Sequence, residues 1–134
     1  DFDGTIVEYA YPEIGPPVPM ALYWLRRLEQ EGAQLVLWTC RCDTEARHEF
    51  TEAVQWIVDH GFHFFGFNDH AHKHSKSPKI NAKVYIDDHG FGVPLEHPTG
   101  RARPYVDWSI VGPKNLGMLR HHNARKAVAI GQTT

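Results

Sequence analysis

Apolar residues recur at helical spacing in two stretches of the chain and cluster in short runs in four others. Ala21, Trp24, Leu25 and Leu28 follow the i, i+3, i+4, i+7 pattern of one buried face. They predict a helix over residues 18–31, with Gly32 just past its end. Phe50, Ala53, Val54 and Ile57 repeat the pattern, giving a second helix over residues 43–60 that ends before Gly61. Asp43 is its expected N-cap, with Glu45 in the first turn. The runs at residues 34–39, 62–67, 83–87 and 106–111 read as strands, and residues 113–127 as a last helix before a frayed end. Residues 8–19 hold five prolines and glycines and form a restricted loop. Residues 68–78 and 90–104 read as loops.

Strands that alternate with helices imply crossover connections and a parallel sheet, with sites at the carboxyl ends of the strands. Thr39 and the pair Asp87-Asp88 both fall at such ends. Asp1 and Asp3 would too if a strand preceded them, so the chain reads as a fragment whose first strand is truncated.

A chain of 134 residues with 42% hydrophobic and 22% charged residues is expected to form one globular domain. A net charge of −2 argues against nucleic-acid binding through bulk electrostatics. Cys40 and Cys42 stand too close to staple distant segments and read as free thiols, which points to a cytoplasmic protein. No apolar stretch approaches the roughly 20 residues that span a bilayer. The four tryptophans read as core.

The chemistry lies in an ordered series: Asp1-Phe2-Asp3-Gly4-Thr5, then Thr39 ending an apolar run, Lys79 after Ser77-Pro78, and Asp87-Asp88 ending another run. Mg²⁺ takes oxygen ligands, typically carboxylates plus water and substrate phosphate. Asp1 and Asp88 can supply side chains and Asp3 its carbonyl, while Asp87 orients Lys79 or a metal-bound water. A carboxylate such as Asp1 can attack phosphorus and split phosphoryl transfer into two steps. Asp3 is then free for proton transfer, since residues i and i+2 of an extended segment face the same way. Thr39 and Lys79 can hold phosphoryl oxygens, and Arg41 is placed to reach a substrate phosphate or to form a surface ion pair. A calcium loop does not fit, because Thr5 and Ile6 stand where an acid or Asn and then a glycine belong. His70, His72 and His74 match no zinc signature and read as a solvated loop, as do Arg101 and Arg103.

In this combination the chain resembles the haloacid dehalogenase superfamily over about residues 1–112, followed by a C-terminal helix and tail at residues 113–134. The resemblance implies a three-layer Rossmann-like parallel sheet in a single domain. It also implies Mg²⁺-dependent phosphomonoester hydrolysis through an aspartyl-phosphate. Asp1 becomes the nucleophile, Asp3 the acid/base, Thr39 and Lys79 the phosphoryl ligands, and Asp88 a metal ligand. Lys79 is preferred to Lys83 because Lys83 opens a strand. The intervals where relatives carry a cap, residues 6–17 and 66–77, are too short to fold as one, so a capless member is implied. An open site suits a phosphate on a large substrate, such as a nucleotide or nucleic-acid end, or a site completed by another subunit in a homo-oligomer. Two other classes compete: a scaffold domain that retains the site with little turnover, and a phospho-accepting receiver domain. The receiver order would place the second acid pair before the lysine.

Overall fold

In a computed structural model, the structure describes residues 1–69, 76–100 and 102–131, with side chains described through residue 127. The chain is a small α/β fold of three helices with one parallel and one antiparallel strand pair. The loop histidines His70, His72 and His74, and Arg101, lie outside the described residues.

Helix α1, Ala21–Gln30, buries Ala21, Leu25 and Leu28, the face that the periodicity marks. It starts three residues later than expected because Met20 takes a left-handed conformation, φ 65°. Strand β1, Val36–Leu37, pairs in parallel with β2, Gly66–Phe67, in the register Val36 to Gly66 and Leu37 to Phe67. Main-chain bonds from Phe65 N to Leu35 O and from Asn68 N to Leu37 O extend this pairing at both ends. Leu37 faces the core, so by strand alternation Trp38 faces outward and is half-exposed, against its expected place in the core.

Helix α2, Glu49–Asp59, buries Ala53 and Ile57. It begins six residues beyond the expected start. Residues 44–47 close a separate turn, in which Thr44 N donates to Arg47 O at 2.8 Å. Asp43 still caps the helix, from across this turn: its Oδ1 accepts from Thr51 N at 3.0 Å, and Oδ2 accepts from the Thr51 hydroxyl.

The expected strand at residues 83–87 has no regular ladder; Asp1 N donates to Ile86 O at 2.8 Å and sets the first residues beside it. Strand β3, Leu95–Glu96, lies inside the expected loop and runs antiparallel to β4, Tyr105–Val106. Residues 108–111 of the expected strand 106–111 are helical. Asp107 Oδ1 accepts from Ser109 N at 3.0 Å and opens α3, Trp108–Gly131, which carries Pro113 within it.

Helix α3 packs on α1, and the fit depends on Gly112. A Cβ at that position would lie 2.2 Å from the Trp24 ring. The core gathers Phe2, Val7, Leu25, Leu37, Ile57 and Trp108 between the helices and the strand segments. No described helix is long and apolar enough to cross a membrane.

Candidate functional site

Residues 1–7 form a tight turn rather than a strand. The amides of Thr5, Ile6 and Val7 all donate to the Phe2 carbonyl, at 3.3, 2.8 and 3.1 Å. Phe2 is buried against Trp56, edge to face at 5.6 Å, so its neighbours Asp1 and Asp3 are held at the core's rim. The turn is fastened from the far end of the chain. Val106 N donates to Gly4 O at 3.0 Å, and the indole N–H of buried Trp108 donates to Thr5 O at 2.7 Å.

Against this turn lies the second acid pair. Asp88 N donates to the Thr5 hydroxyl at 3.2 Å. Gly4 is required here twice over: its φ is +72°, and a Cβ would sit 2.3 Å from Asp88 Oδ2. The carboxylate of Asp88 thus reaches the turn only because position 4 has no side chain. Asp1, Asp87 and Asp88 each present one oxygen, all within 4.8 Å of one another. His89 adds an imidazole whose Nε2 is 3.6 Å from Asp88 Oδ2.

The electrostatics of this trio are unresolved without a cation. Burial pushes the Asp88 carboxyl above the usual carboxylate range; His89 pulls it back, and Asp87 adds to the rise. Among the described residues its buried Oδ1 has no hydrogen-bond partner. An orphaned carboxylate oxygen within a three-carboxylate set is the donor chemistry a hard divalent cation takes, so the residues fit Mg²⁺.

Asp3 stands outside this trio. Both its oxygens accept from Arg41, Oδ2 from Nε at 2.7 Å and Oδ1 from Nη2 at 2.8 Å. Arg41 is therefore neither a surface ion pair nor a group presented to substrate: its side chain is 1% exposed. Its remaining donors reach the carbonyls of Pro12 at 3.0 Å and Glu13 at 2.8 Å, and the guanidinium lies 5.2 Å from the Phe2 ring centre and 5.4 Å from that of Tyr11. Arg41 so ties the proline-rich loop to the acid turn.

Thr39 Oγ1 accepts from Arg41 N at 3.2 Å. Its main chain is clasped by Asn68, whose Oδ1 accepts from Thr39 N and whose Nδ2 donates to Thr39 O, both at 2.8 Å. Asn68, which opens an expected loop, joins the carboxyl ends of β1 and β2. Lys79 is exposed, with Nζ 5.5 Å above the Tyr85 ring. Among the described residues, neither Thr39 nor Lys79 bonds directly to the four aspartates. The Lys83 Nζ lies 3.1 Å from His122 Nδ1 on α3. Cys40 and Cys42 are free and exposed.

A first acid turn at the core's rim, a second acid pair against it and a parallel strand pair nearby define a small α/β protein with a candidate divalent-cation site. Among solved structures, the chain resembles that of a conserved protein coded by a locus from Bacteroides thetaiotaomicron. The two share 37% identity at a TM-score of 0.64, over 83% of this chain and 81% of that one. The chain belongs to the same family as that protein. No protein-family model and no curated protein matches it.

Proposed function

We propose that the chain is a capless member of the haloacid dehalogenase superfamily, built on a three-layer Rossmann-like core, and hydrolyses phosphomonoesters with Mg²⁺. The observation that carries this reading is the convergence of Asp1, Asp87 and Asp88 within 4.8 Å, from opposite ends of the ordered motif series. The buried oxygen of Asp88 that has no hydrogen-bond partner among the described residues supports it.

In this reading Asp1, Asp87 and Asp88 would hold Mg²⁺, which when bound would supply charge neutralisation for the phosphoryl group. A carboxylate oxygen of Asp1 attacks phosphorus; the new O–P bond forms as the bond to the leaving oxygen breaks. Water then attacks the aspartyl-phosphate, releases inorganic phosphate and regenerates Asp1. Asp3, both of whose oxygens accept from Arg41, is assigned to take a proton from that water. To protonate the leaving oxygen in the first step, Asp3 first takes up a proton from solvent as one of its Arg41 contacts opens; giving that proton up returns it to the carboxylate that serves the second step. Thr39 and Lys79 are assigned to the phosphoryl oxygens. The free cysteines support a reducing, cytoplasmic setting.

The test is phosphate release from an aryl phosphate with and without Mg²⁺, in wild type and Asp1→Asn. Metal-dependent release that the substitution abolishes is expected; undiminished turnover by Asp1→Asn defeats the mechanism. Asp3→Asn separates the two proton transfers, and alkyl phosphates are expected to suffer more than aryl phosphates, whose leaving groups need less protonation. The full engagement of Asp3 by Arg41 favours a second reading, a binding or scaffold domain with little turnover. Robust metal-dependent release rules that out.

A further inference from the structure

Phe91 lies wholly in water, at 110% of its reference exposure; the next most exposed large apolar side chain among the described residues, Met118, is at 57%. A phenylalanine gains its folding energy from burial, and this one gains none. Its place is specific. It follows Asp88 by three residues, in a turn built on the acid pair itself. His89 N donates to Asp87 Oδ1 at 2.8 Å, Gly90 N to Asp87 O at 2.9 Å, and Val93 N to Gly90 O at 3.2 Å. Three peptide units keep its Cα within about 11 Å of that of Asp88.

Other exposed rings near the acidic segments already have partners. Tyr9 lies under the Arg103 guanidinium at 3.8 Å, Tyr11 donates its hydroxyl to Glu49 at 2.6 Å, and Tyr85 lies beneath Lys79. Phe91 makes no ring or cation contact among the described residues. Where no cap domain closes over the leaving group, an uncovered ring whose Cα stays within about 11 Å of that of Asp88 is a surface that can recognise it.

Resting on the phosphatase reading above, we propose that Phe91 is a stacking platform for a planar aromatic group carried by the substrate. The site would then take phosphomonoesters of the nucleoside monophosphate class in preference to sugar or aliphatic phosphates. A π-face against a base is sequence-tolerant and works from a solvent-exposed position.

The full chain with Mg²⁺ is assayed on adenosine 5′-monophosphate and on glycerol 3-phosphate, as wild type, Phe91→Ala and Phe91→Trp. Phe91→Ala is expected to lower kcat/KM for the nucleotide about tenfold, through KM, while leaving glycerol 3-phosphate unchanged; Phe91→Trp restores the nucleotide. Equal effects on both substrates, or none, overturn the proposal. If neither is hydrolysed, the phosphatase reading fails, and Phe91 is judged on its own by calorimetric binding of the same two compounds with Mg²⁺. A preference for the nucleotide that Phe91→Ala removes sustains the platform; no preference, or no binding, ends it. A dimer in sedimentation that Phe91→Ala dissociates, with no contrast between nucleotide and glycerol phosphate, also overturns it and assigns the ring to a second copy of the chain.

Discussion

Both oxygens of Asp3 accept from a guanidinium that is 1% exposed and whose other donors hold two loop carbonyls. Arg41→Ala leaves a shielded carboxylate and those carbonyls without donors. A loss of about 3–5 kcal/mol is expected in denaturant unfolding. Arg41→Lys keeps the charge but not the fork geometry, and should fall between wild type and alanine. At Gly4, alanine brings two separate penalties. The left-handed φ of +72° costs a side-chain-bearing residue about 1–2 kcal/mol, and the new Cβ must displace Asp88. Gly4→Ala should therefore weaken Mg²⁺ binding by calorimetry far more than an equally destabilising core substitution does. The acids were readable in the sequence because their order is distinctive. Their partners were not: Arg41, Asn68 and His89 have spacings that fit many structures, and burial, which decides their role, is a property of the assembled chain.

The helices show where pattern suffices and where it does not. The fully buried residues of α1 (Ala21, Leu25, Leu28) and of α2 (Ala53, Ile57) all lie on the faces that the periodicity marks, with Trp24 and Val54 partly buried beside them. The start of α3 departs from its pattern, because a run of alternating apolar and polar residues at 106–111 has the period of a strand. Asp107 capping Ser109, and the burial of Trp108 and Val111 on one face, made it a helix instead. Strands were over-extended for a related reason. Apolar runs mark what is buried, whereas a ladder needs a neighbour in register, and β1 and β2 find one for two residues. Two element-level outcomes follow. Gly112→Leu drives a side chain into Trp24 and should cost about 1–3 kcal/mol in thermal unfolding, through loss of the α1–α3 contact. Asp43 is held below the usual carboxylate range by hydrogen bonds from Thr51. Its contribution is present above the unfolded value of about 3.9 and lost as pH falls through the lower folded value. Asp43→Ala should flatten the acid limb of the melting profile.

At the scale of the molecule, the acid trio places negative charge where burial opposes it. A carboxyl whose folded pKa is raised favours the folded state when protonated, so ionised Asp88 destabilises the metal-free protein near neutrality. Mg²⁺ at ten times its Kd should add about 1.4 kcal/mol of stability, and the gain should shrink as pH falls towards the raised Asp88 value. Asp88→Asn should abolish the gain without destabilising the metal-free protein. A melting temperature indifferent to Mg²⁺ across that range counts against the cation site.

The hydrogen bond from the Trp108 indole to the Thr5 carbonyl joins residues 103 positions apart, and that from Asp1 to Ile86 spans 85. Loops of this length close late in folding. During synthesis, a nascent polypeptide that has not yet delivered Trp108 lacks the peg that secures its leading acids. Cation capture would then be among the last properties to arise, and its appearance could time the completion of folding.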